Sequence, residues 1–238
     1  MMNLIRNGFE EISQQCAERM AAQIVEKPDS SLCLATGGSP LEAYRRFAHI
    51  VLETGIDVSH VFFVKLDEWH GISMDNPATC ETFLQRELFR PLGISQENIL
   101  SFDSMAENPE LECKRVANML DTMDPLDLTI LGIGRNGHLG LNEPSEFLLP
   151  RPHAATLAEK TLGHAMLKET DKPVSRGMTL GMADLLQSRH IVMMVTGEGK
   201  EEAAAGMLAG PVTTSNPASF LQLAAKVTVL SAIGSGGE

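Results

Sequence analysis

The chain has 238 residues, which is enough for one large α/β domain and barely enough for two. Hydrophobic residues make up 43% and charged residues 21%, as in ordinary soluble globular proteins. The formal net charge is −12 and the longest basic run is a pair such as Arg45–Arg46, which argues against a nucleic-acid-binding surface. A small, locally positive site for an anionic substrate remains compatible with this charge.

Cysteine usage and apolar runs bear on the cellular compartment. The four cysteines show no CxxC spacing, which is typical of reduced thiols in the cytosol. The first 16 residues mix apolar with acidic and polar side chains, unlike a signal peptide. No apolar run approaches the roughly 20 residues that a membrane helix needs. We therefore expect a cytoplasmic protein with no membrane partner.

The predicted elements alternate between helices and strands. The first half predicts a helix over residues 9–25, a strand over 31–35, a helix over 40–52, a strand over 61–66, a helix over 79–88 and a short strand over 99–102. The second half predicts a helix over 109–121 capped by Asn108, a strand over 126–133, a small helix over 181–187, a strand over 191–195, a helix over 200–208 and a strand over 227–230. Residues 150–175 show no readable pattern.

Repeated strand–helix alternation with continuously apolar strands is typical of a parallel sheet covered on both faces. We therefore expect an α/β fold: a Rossmann-like, mostly parallel sheet with helices on both faces. No internal repeat or linker is visible, so the interpretation is a single domain over residues 1–238.

Four of the apolar runs end in unusual polar segments. These are TGGSP at 36–40, DEWHG at 67–71, GRNGHLGLNEP at 134–144 and TGEGK at 196–200. Ligands of open parallel sheets bind beyond the carboxyl ends of the strands. We expect the four segments to meet at one edge and to supply an anion-binding turn, a carboxylate, a His with a second carboxylate, and an ammonium group.

The TGGSP segment has two interpretations. Its glycines leave backbone N–H groups uncovered at the positive end of the following helix, which suits a phosphate. The spacing is not that of a P-loop. The alternative is a capping box with Ser39 as N-cap, Pro40 as first helical residue and Glu42 three residues after the cap.

The DEWHG segment offers a carboxylate at a strand end. Asp67 fits either a general base or a cap for a helix or loop. His70 is expected to be a surface or packing residue. The spacing of Asp67, Glu68 and His70 is not that of a metal site, so we assign no metal.

The loop GRNGHLGLNEP carries the densest chemistry. Its three glycines predict non-standard backbone angles. His138 and Glu143 lie five residues apart, and a His paired with a carboxylate is a proton-transfer unit near neutral pH. The alternative is a loop stabilised by turns at Asn136 and Asn142. That alternative does not account for an ionisable pair at the expected binding edge.

The last segment places Lys200 in the first turn of a predicted helix, where its charge opposes the helix dipole. This small cost favours an anionic ligand. The alternative is a solvated lysine among Glu198, Glu201 and Glu202.

In this order, the segments resemble the glucosamine-6-phosphate deaminase/isomerase family. The resemblance covers most of the chain and rests on TGGSPLEAY, FFVKLDEW, LGIGRNGHLGLNEP, VTGEGK and PASFLQL. The stretch that runs into Asn142–Glu143–Pro144 is its most specific part. NPATCETFL, RGMTLGM and GEGK look closest to the galactosamine-6-phosphate branch of the family.

The resemblance implies roles for four residues in the deaminating isomerisation of an amino-sugar 6-phosphate. Asp67 matches the base that moves a proton between C2 and C1 of the opened sugar. His138 matches the residue that assists ring opening, and Glu143 the carboxylate that orients it. Asn136 stands where some members have Asp, so we expect it to be a positioning group. The implied reaction needs no cofactor and no metal.

The resemblance also implies a small-molecule sugar phosphate as partner. Its phosphate is expected on Gly37, Gly38 and Ser39, with Lys200 as cation. A second phosphate-binding Arg, expected within residues 150–168, has no clear match, and Lys168 or Arg176 are the substitutes. No C-terminal extension of the longer, allosteric members follows residues 227–230, so we expect simple kinetics without an effector.

Two other functions compete with this interpretation. A 6-phosphogluconolactonase resembles the same fold, but its loop typically continues towards SLFP without a carboxylate at the Glu143 position. A sugar-phosphate-sensing repressor domain would carry a basic helix-turn-helix, for which the first 35 residues leave no room. Both glucosamine and galactosamine 6-phosphate fit the motifs, since they differ only at the C4 hydroxyl. The motifs indicate no oligomeric state.

Overall fold

The computed structural model describes residues 2–157, 166–170 and 172–233. Within them, seven strands form one sheet: β1 (Met2–Arg6), β2 (Ser31–Leu34), β3 (Phe62–Lys65), β5 (Ile99–Leu100), β6 (Leu128–Gly132), β9 (Ile191–Val195) and β10 (Val227–Ser231). Their order is β1-β10-β9-β6-β2-β3-β5, and every neighbouring pair is parallel. Three further strands, β4 (Asp67–His70), β7 (His153–Thr156) and β8 (Arg176–Thr179), form an antiparallel sheet in the order β4-β8-β7.

Helices cover both faces of the large sheet. In the described part of the chain the α-helices are α1 (Phe9–Glu26), α2 (Gly38–Thr54), α3 (Cys80–Leu84), α4 (Arg90–Leu92), α5 (Pro109–Leu120), α6 (Met182–Leu186) and α7 (Glu201–Ala209). A π-helical turn, Gln85–Phe89, joins α3 to α4, and 3₁₀ turns span Gln96–Asn98, Met166–Glu169 and Pro217–Leu223. One apolar core holds α1 to α3, a second holds α5 to α7, and a smaller third lies around Trp69 and Leu141.

Strand β2 has apolar residues on both of its faces, at Leu32, Cys33 and Leu34. Leu32 and Leu34 pack into the core under α1 and α2, while Cys33 packs into the core on the opposite face. Side chains alternate between the two faces of a strand, so a strand covered by helices on both faces carries apolar side chains on both. The predicted α/β fold, with a mostly parallel sheet and helices on both faces, is confirmed.

Helix boundaries follow local signals in the sequence. In α1 the residues Ile12, Cys16, Met20 and Ile24 recur every four positions, and none is more than 1% exposed. The side chain of Asn108 accepts a hydrogen bond from Leu111 N at 2.9 Å, which confirms the predicted cap of α5. None of the described helices combines the length and the apolar character needed to cross a bilayer.

The arrangement of four central strands positions the site. Strands β9, β6, β2 and β3 are consecutive neighbours and all parallel, so their carboxyl ends lie side by side. The segments TGGSP, DEWHG, GRNGHLGLNEP and TGEGK follow these four strands. The prediction that the four segments meet at one edge of the sheet is confirmed.

Four strands were not predicted: β1, β4, β7 and β8. Strand β1 is an edge strand without a fully buried residue, so its pattern is weak. Strands β7 and β8 fall in or beside the segment without a readable pattern, of which residues 158–165 lie outside the described residues.

The DEWHG segment, expected only to follow a strand end, forms strand β4. At Leu66 the chain leaves the large sheet: Leu66 N donates to Leu34 O at 3.1 Å, and Leu66 O accepts from Leu180 N at 2.9 Å. Asp67 then pairs with Thr179 in the small sheet. The sequence could not reveal this strand, because its partner β8 lacks a readable signal.

Candidate active site

The TGGSP turn starts helix α2 earlier than the predicted capping box allows. Gly37 is the cap, with φ 104°, a backbone conformation that L side chains rarely adopt. Ser39 therefore lies inside the helix, and its Oγ is 2.7 Å from Thr196 Oγ1. Glu42 instead pairs with Arg46 at 2.8 Å. The capping-box alternative is wrong, because the glycine turn and a partner from the end of β9 determine the contacts.

One cation contacts this turn, and a second cation lies close to the first. Lys200 Nζ donates to Ser39 Oγ at 3.5 Å. Arg135 Nε lies 3.5 Å from the position that a Cβ on Gly199 would occupy. Burial, and then the charge of Arg135, hold the pKa of Lys200 below its usual value. Neither cation forms an ion pair with a carboxylate among residues 2–157, 166–170 and 172–233. The turn therefore faces a concentration of positive charge on an acidic protein.

Arg135 was missed by sequence reasoning. It follows β6, and Lys200 follows the neighbouring strand β9, so the sheet order brings the two side chains together. The usable signal was therefore present in the sequence: a basic residue at the end of each of two apolar runs.

The substitutes considered for a second phosphate-binding Arg lie elsewhere. Arg176 pairs with His70 at the end of β4 away from Asp67, and it forms an ion pair with Glu110 at 2.5 Å. Lys168 is exposed on a 3₁₀ turn. Residues 158–165, within the segment where that Arg was expected, lie outside the described residues.

Asp67 begins strand β4, directly after the chain leaves the large sheet. Burial raises the pKa of its carboxyl from 3.8 to about 7, and the negative charge of Glu68 adds to the rise. The facing His138 opposes the rise, as does a hydrogen bond from Cys80 Sγ, 3.7 Å from Oδ1. A half-buried carboxyl that titrates near neutral pH suits a general base.

Beneath Asp67 lies a buried ionic cluster. The Glu68 carboxylate is fully buried and accepts from Lys65 Nζ at 2.8 Å, from Trp69 N at 2.8 Å and from the first two N–H groups of α3, those of Cys80 and Glu81, at 2.9 and 2.8 Å. Lys65 is 1% exposed and also pairs with Glu81. Every buried charge has partners, as burial of ions requires. The cluster fixes α3 against the strand that carries the base.

The loop after β6 brings a second acid–base unit to the same edge. His138 Nδ1 lies 3.4 Å from Glu143 Oε2. Asn136 Nδ2 donates to that same oxygen at 2.8 Å, and Asn136 Oδ1 accepts from His138 N at 3.3 Å. Asn136 thus contacts both members of the pair. Positive φ angles at Gly137 and Gly140, 84° and 58°, bend the chain so that the pair can meet.

The loop is attached to the small sheet near Asp67. Asn142 Nδ2 donates to Leu139 O and Leu180 O, both at 2.9 Å. Leu141 N donates to Thr179 Oγ1 at 3.2 Å. Because Thr179 is also the strand partner of Asp67, one residue connects the base and the His loop.

The remaining candidate, His70, turns away from the site: its Nε2 lies 2.9 Å from Ala106 O. Among the described ranges, no group of three or more His, Cys, Asp or Glu side chains is placed to hold a metal ion. The site residues form three groups: the carboxyl of Asp67, the pair of His138 and Glu143, and the glycine turn with its cations. Such a set suits proton transfers on an anionic substrate.

Comparisons with known proteins show the family of the chain. Residues 7–230 match the family described as glucosamine-6-phosphate isomerases/6-phosphogluconolactonase. "Putative deaminase AgaI" of Escherichia coli K12 is 45% identical over 91% of this chain and 86% of its own length. Glucosamine-6-phosphate deaminase of Thermoanaerobacter pseudethanolicus is 34% identical over 97% of this chain and 92% of its own length.

Solved structures extend the comparison to the fold. The structure of a monomeric glucosamine-6-phosphate deaminase superposes with a TM-score of 0.92 at 33% identity, covering 97% of both chains. A 6-phosphogluconolactonase from Trypanosoma brucei superposes with a TM-score of 0.74 at 20% identity over 97% and 96% of the two chains, which shows a shared fold alone. The chain belongs to the glucosamine-6-phosphate isomerase/6-phosphogluconolactonase family.

Proposed function

We propose that this protein is an amino-sugar-6-phosphate deaminase/isomerase. It converts galactosamine 6-phosphate or glucosamine 6-phosphate, with one water, into a ketohexose 6-phosphate and ammonia. The observation that carries the proposal is the set of groups at one sheet edge. A half-buried carboxyl with a pKa of about 7 faces a His–carboxylate pair, and beside them lie a glycine turn and two cations, Lys200 and Arg135, that have no carboxylate partner among the described residues.

The first step is opening of the sugar ring, and His138 catalyses it. One imidazole nitrogen is held 3.4 Å from Glu143, which leaves the other for the substrate. The imidazole takes the proton of the C1 hydroxyl and delivers a proton to the ring oxygen as the C1–O bond to the ring breaks. Asn136 fixes the Glu143 oxygen that contacts the imidazole, so its role is positioning.

The second step is isomerisation of the open-chain sugar, which Asp67 catalyses as a base. Ionised Asp67 removes the proton from C2 of the open-chain aldehyde, and the C1 oxygen takes a proton from the ammonium group of the substrate on C2, giving an enol that carries a neutral amino group on C2. Asp67 returns the proton to C1, which leaves an imine at C2. Water adds to that imine, ammonia leaves, and a ketone remains. One carboxylate can serve both carbons because C1 and C2 are adjacent.

The phosphate of the substrate binds at the glycine turn. The backbone N–H groups at Gly37 and Gly38, the Ser39 hydroxyl and the positive end of α2 supply donors. Lys200 contributes an ammonium group, and Arg135 contributes the second cation. Binding of the phosphate places the reacting carbons C1 and C2 relative to Asp67 and His138.

Lactone hydrolysis is the second candidate, because the family includes 6-phosphogluconolactonases. The contact between His138 and Glu143 favours deamination, since the carboxylate gives the imidazole a proton-transfer partner that the lactonase-type loop lacks. Lactone hydrolysis also needs no base that removes a proton from carbon, which is the role proposed for Asp67.

A parallel assay tests the proposal. Purified protein is given glucosamine 6-phosphate, galactosamine 6-phosphate and 6-phosphogluconolactone in separate reactions. Ammonia and ketose phosphate are measured in the first two, and acid release in the third. We expect equal amounts of ammonia and ketose phosphate from at least one amino sugar. Lactone hydrolysis without ammonia from either amino sugar refutes the proposal.

The acid limb of the pH–rate profile is expected near pH 7. Asp67 acts in its ionised form, and burial raises the pKa of its carboxyl to about 7. Below that pH the ionised fraction, and with it kcat/KM, falls about tenfold per pH unit. The measurement is kcat/KM from pH 5 to 9, corrected for ionisation of the substrate phosphate. A flat profile down to pH 5.5 contradicts the assignment of the base.

Replacing Lys200 by Gln is expected to raise KM about 10- to 100-fold, because a charge-assisted hydrogen bond to the phosphate is lost. The value of kcat should change by no more than about threefold, since the cation contacts the phosphate equally in ground and transition states. Lys114→Gln on the exposed side of α5 is the matched control and should leave KM unchanged. An unchanged KM in the Lys200 variant removes this residue from the phosphate site.

A further inference from the structure

Asp67, the proposed base, accepts a hydrogen bond from an unusual donor, a cysteine thiol. Within the described part of the chain, the Asp67 carboxylate has one side-chain hydrogen bond, and its donor is the thiol of Cys80, with Sγ 3.7 Å from Oδ1. Thr36 Oγ1 donates in turn to Cys80 Sγ at 3.1 Å. Thr36 is the first residue of the TGGSP turn. Three side chains therefore connect the proposed phosphate site with the base.

The backbone around Cys80 is fixed in the same place. Cys80 N donates to Glu68 Oε1 at 2.9 Å, and Glu68 is the chain neighbour of Asp67. Thr79 caps α3 by accepting from Thr82 N at 3.1 Å. Burial raises the pKa of the Cys80 thiol well above its usual value, so the sulfur keeps its proton and acts as a donor. The thiol is thus held against the carboxylate by its backbone and by its protonation state.

We propose that Cys80 is a positioning residue for the base: its thiol holds the Asp67 carboxylate in one orientation and favours the ionised form. The inference rests on the proposed function, because it concerns the group assigned there as the base. A neutral donor on one oxygen leaves the other oxygen for the substrate. A stronger donor would make the carboxylate a weaker base, so a weak thiol contact suits a carboxylate that must accept a proton from carbon.

Other titratable groups also face Asp67. They are Glu68 on its own strand, Lys65 on β3, His138 on the loop after β6, Cys33 on β2 and Tyr44 on α2. Burial keeps the Cys33 thiol and the Tyr44 hydroxyl neutral by raising their pKa values. The Glu68 charge is paired with Lys65 at 2.8 Å. None of these residues is itself replaced in a Cys80 variant, so the substitution removes only the thiol donor.

The test compares Cys80→Ala, Cys80→Ser and the control Cys113→Ala, which removes an equally buried thiol from α5. We expect Cys80→Ala to move the titration of Asp67 to higher pH by roughly 0.5 unit and to lower kcat/KM at pH 6 about threefold. Cys80→Ser, with a stronger donor, should move the titration to lower pH. Cys113→Ala should leave the titration at its wild-type position.

Two readouts separate the possible failures. The titration of Asp67 is followed by ¹³C NMR of labelled carboxyl groups, with its signal identified by its absence in Asp67→Asn. An unchanged titration in Cys80→Ala overturns the inference, and if that variant fails to fold, an unchanged titration in Cys80→Ser does so. Absence of ammonia release by the wild-type protein refutes the proposed function instead, and it leaves the NMR result readable.

Discussion

Replacing Asp67 by Asn is expected to reduce ammonia release about 10³-fold or more. The amide has nearly the same shape as the carboxyl but cannot accept the proton from C2, and general-base catalysis typically contributes factors of about 10² to 10⁴. Substrate binding should persist, because the phosphate contacts are unaffected. Binding can be followed by the fluorescence of Trp69, the single tryptophan, which lies two residues from the base.

The melting temperature of the Asp67→Asn variant distinguishes a loss of catalysis from a loss of folding. Folding raises the pKa of the Asp67 carboxyl from 3.8 to about 7, so its favourable contribution is complete below pH 3.8 and is lost as pH rises through about 7. Asn cannot ionise, so the variant should melt at pH 8 no lower than the wild type. Asp29→Asn, at an exposed position before β2, is the control and should keep full activity. Turnover within tenfold of wild type would remove Asp67 from the role of base.

The second large effect is expected from Gly134→Ala. The three atoms nearest to a Cβ built on Gly134 all belong to the His138 imidazole and overlap it. The φ angle of Gly134 is not in the left-handed region, so the added methyl acts through the ring alone. We expect it to displace the imidazole from Glu143 and to lower kcat by about 10² to 10³, as for loss of a general acid–base group.

Crystal structures and kinetics check this prediction together. Gly8→Ala is the matched control, because a Cβ at Gly8 has no heavy atom within 4 Å. The Gly134 variant should fold, with the imidazole turned away and the melting temperature lowered only slightly. Full activity with the imidazole displaced would show that His138 is not needed for turnover.

The location of the site was predictable from the sequence because it depends on topology. Apolar runs determine where strands end, and parallel strands end at the same edge, so four polar segments far apart in the chain had to meet. Contact between His138 and Glu143 was predictable because both lie in one short, glycine-rich loop. The resemblance to the amino-sugar-phosphate family is confirmed by the family match and by relatives that span most of the chain.

Features that depend on distant partners could not be read from the sequence. Ser39 looked like a helix cap because that rule is local, yet its hydroxyl lies 2.7 Å from Thr196, 157 residues away. Strand β4 was not predicted because it depends on pairing with β8, which follows a segment without a pattern. Arg135 looked like an ordinary loop residue until the order of β6 and β9 placed it beside Lys200.

The order of the four central strands also governs how catalytic competence arises during folding. The phosphate turn, the base, the His loop and the lysine turn follow strands drawn from most of the chain length. No contiguous fragment that lacks one of these strands holds a complete set of reacting groups. Contacts between residues so far apart in sequence form late, because chain entropy opposes closing long loops. We therefore expect catalytic activity only after the last of the four strands has joined the sheet.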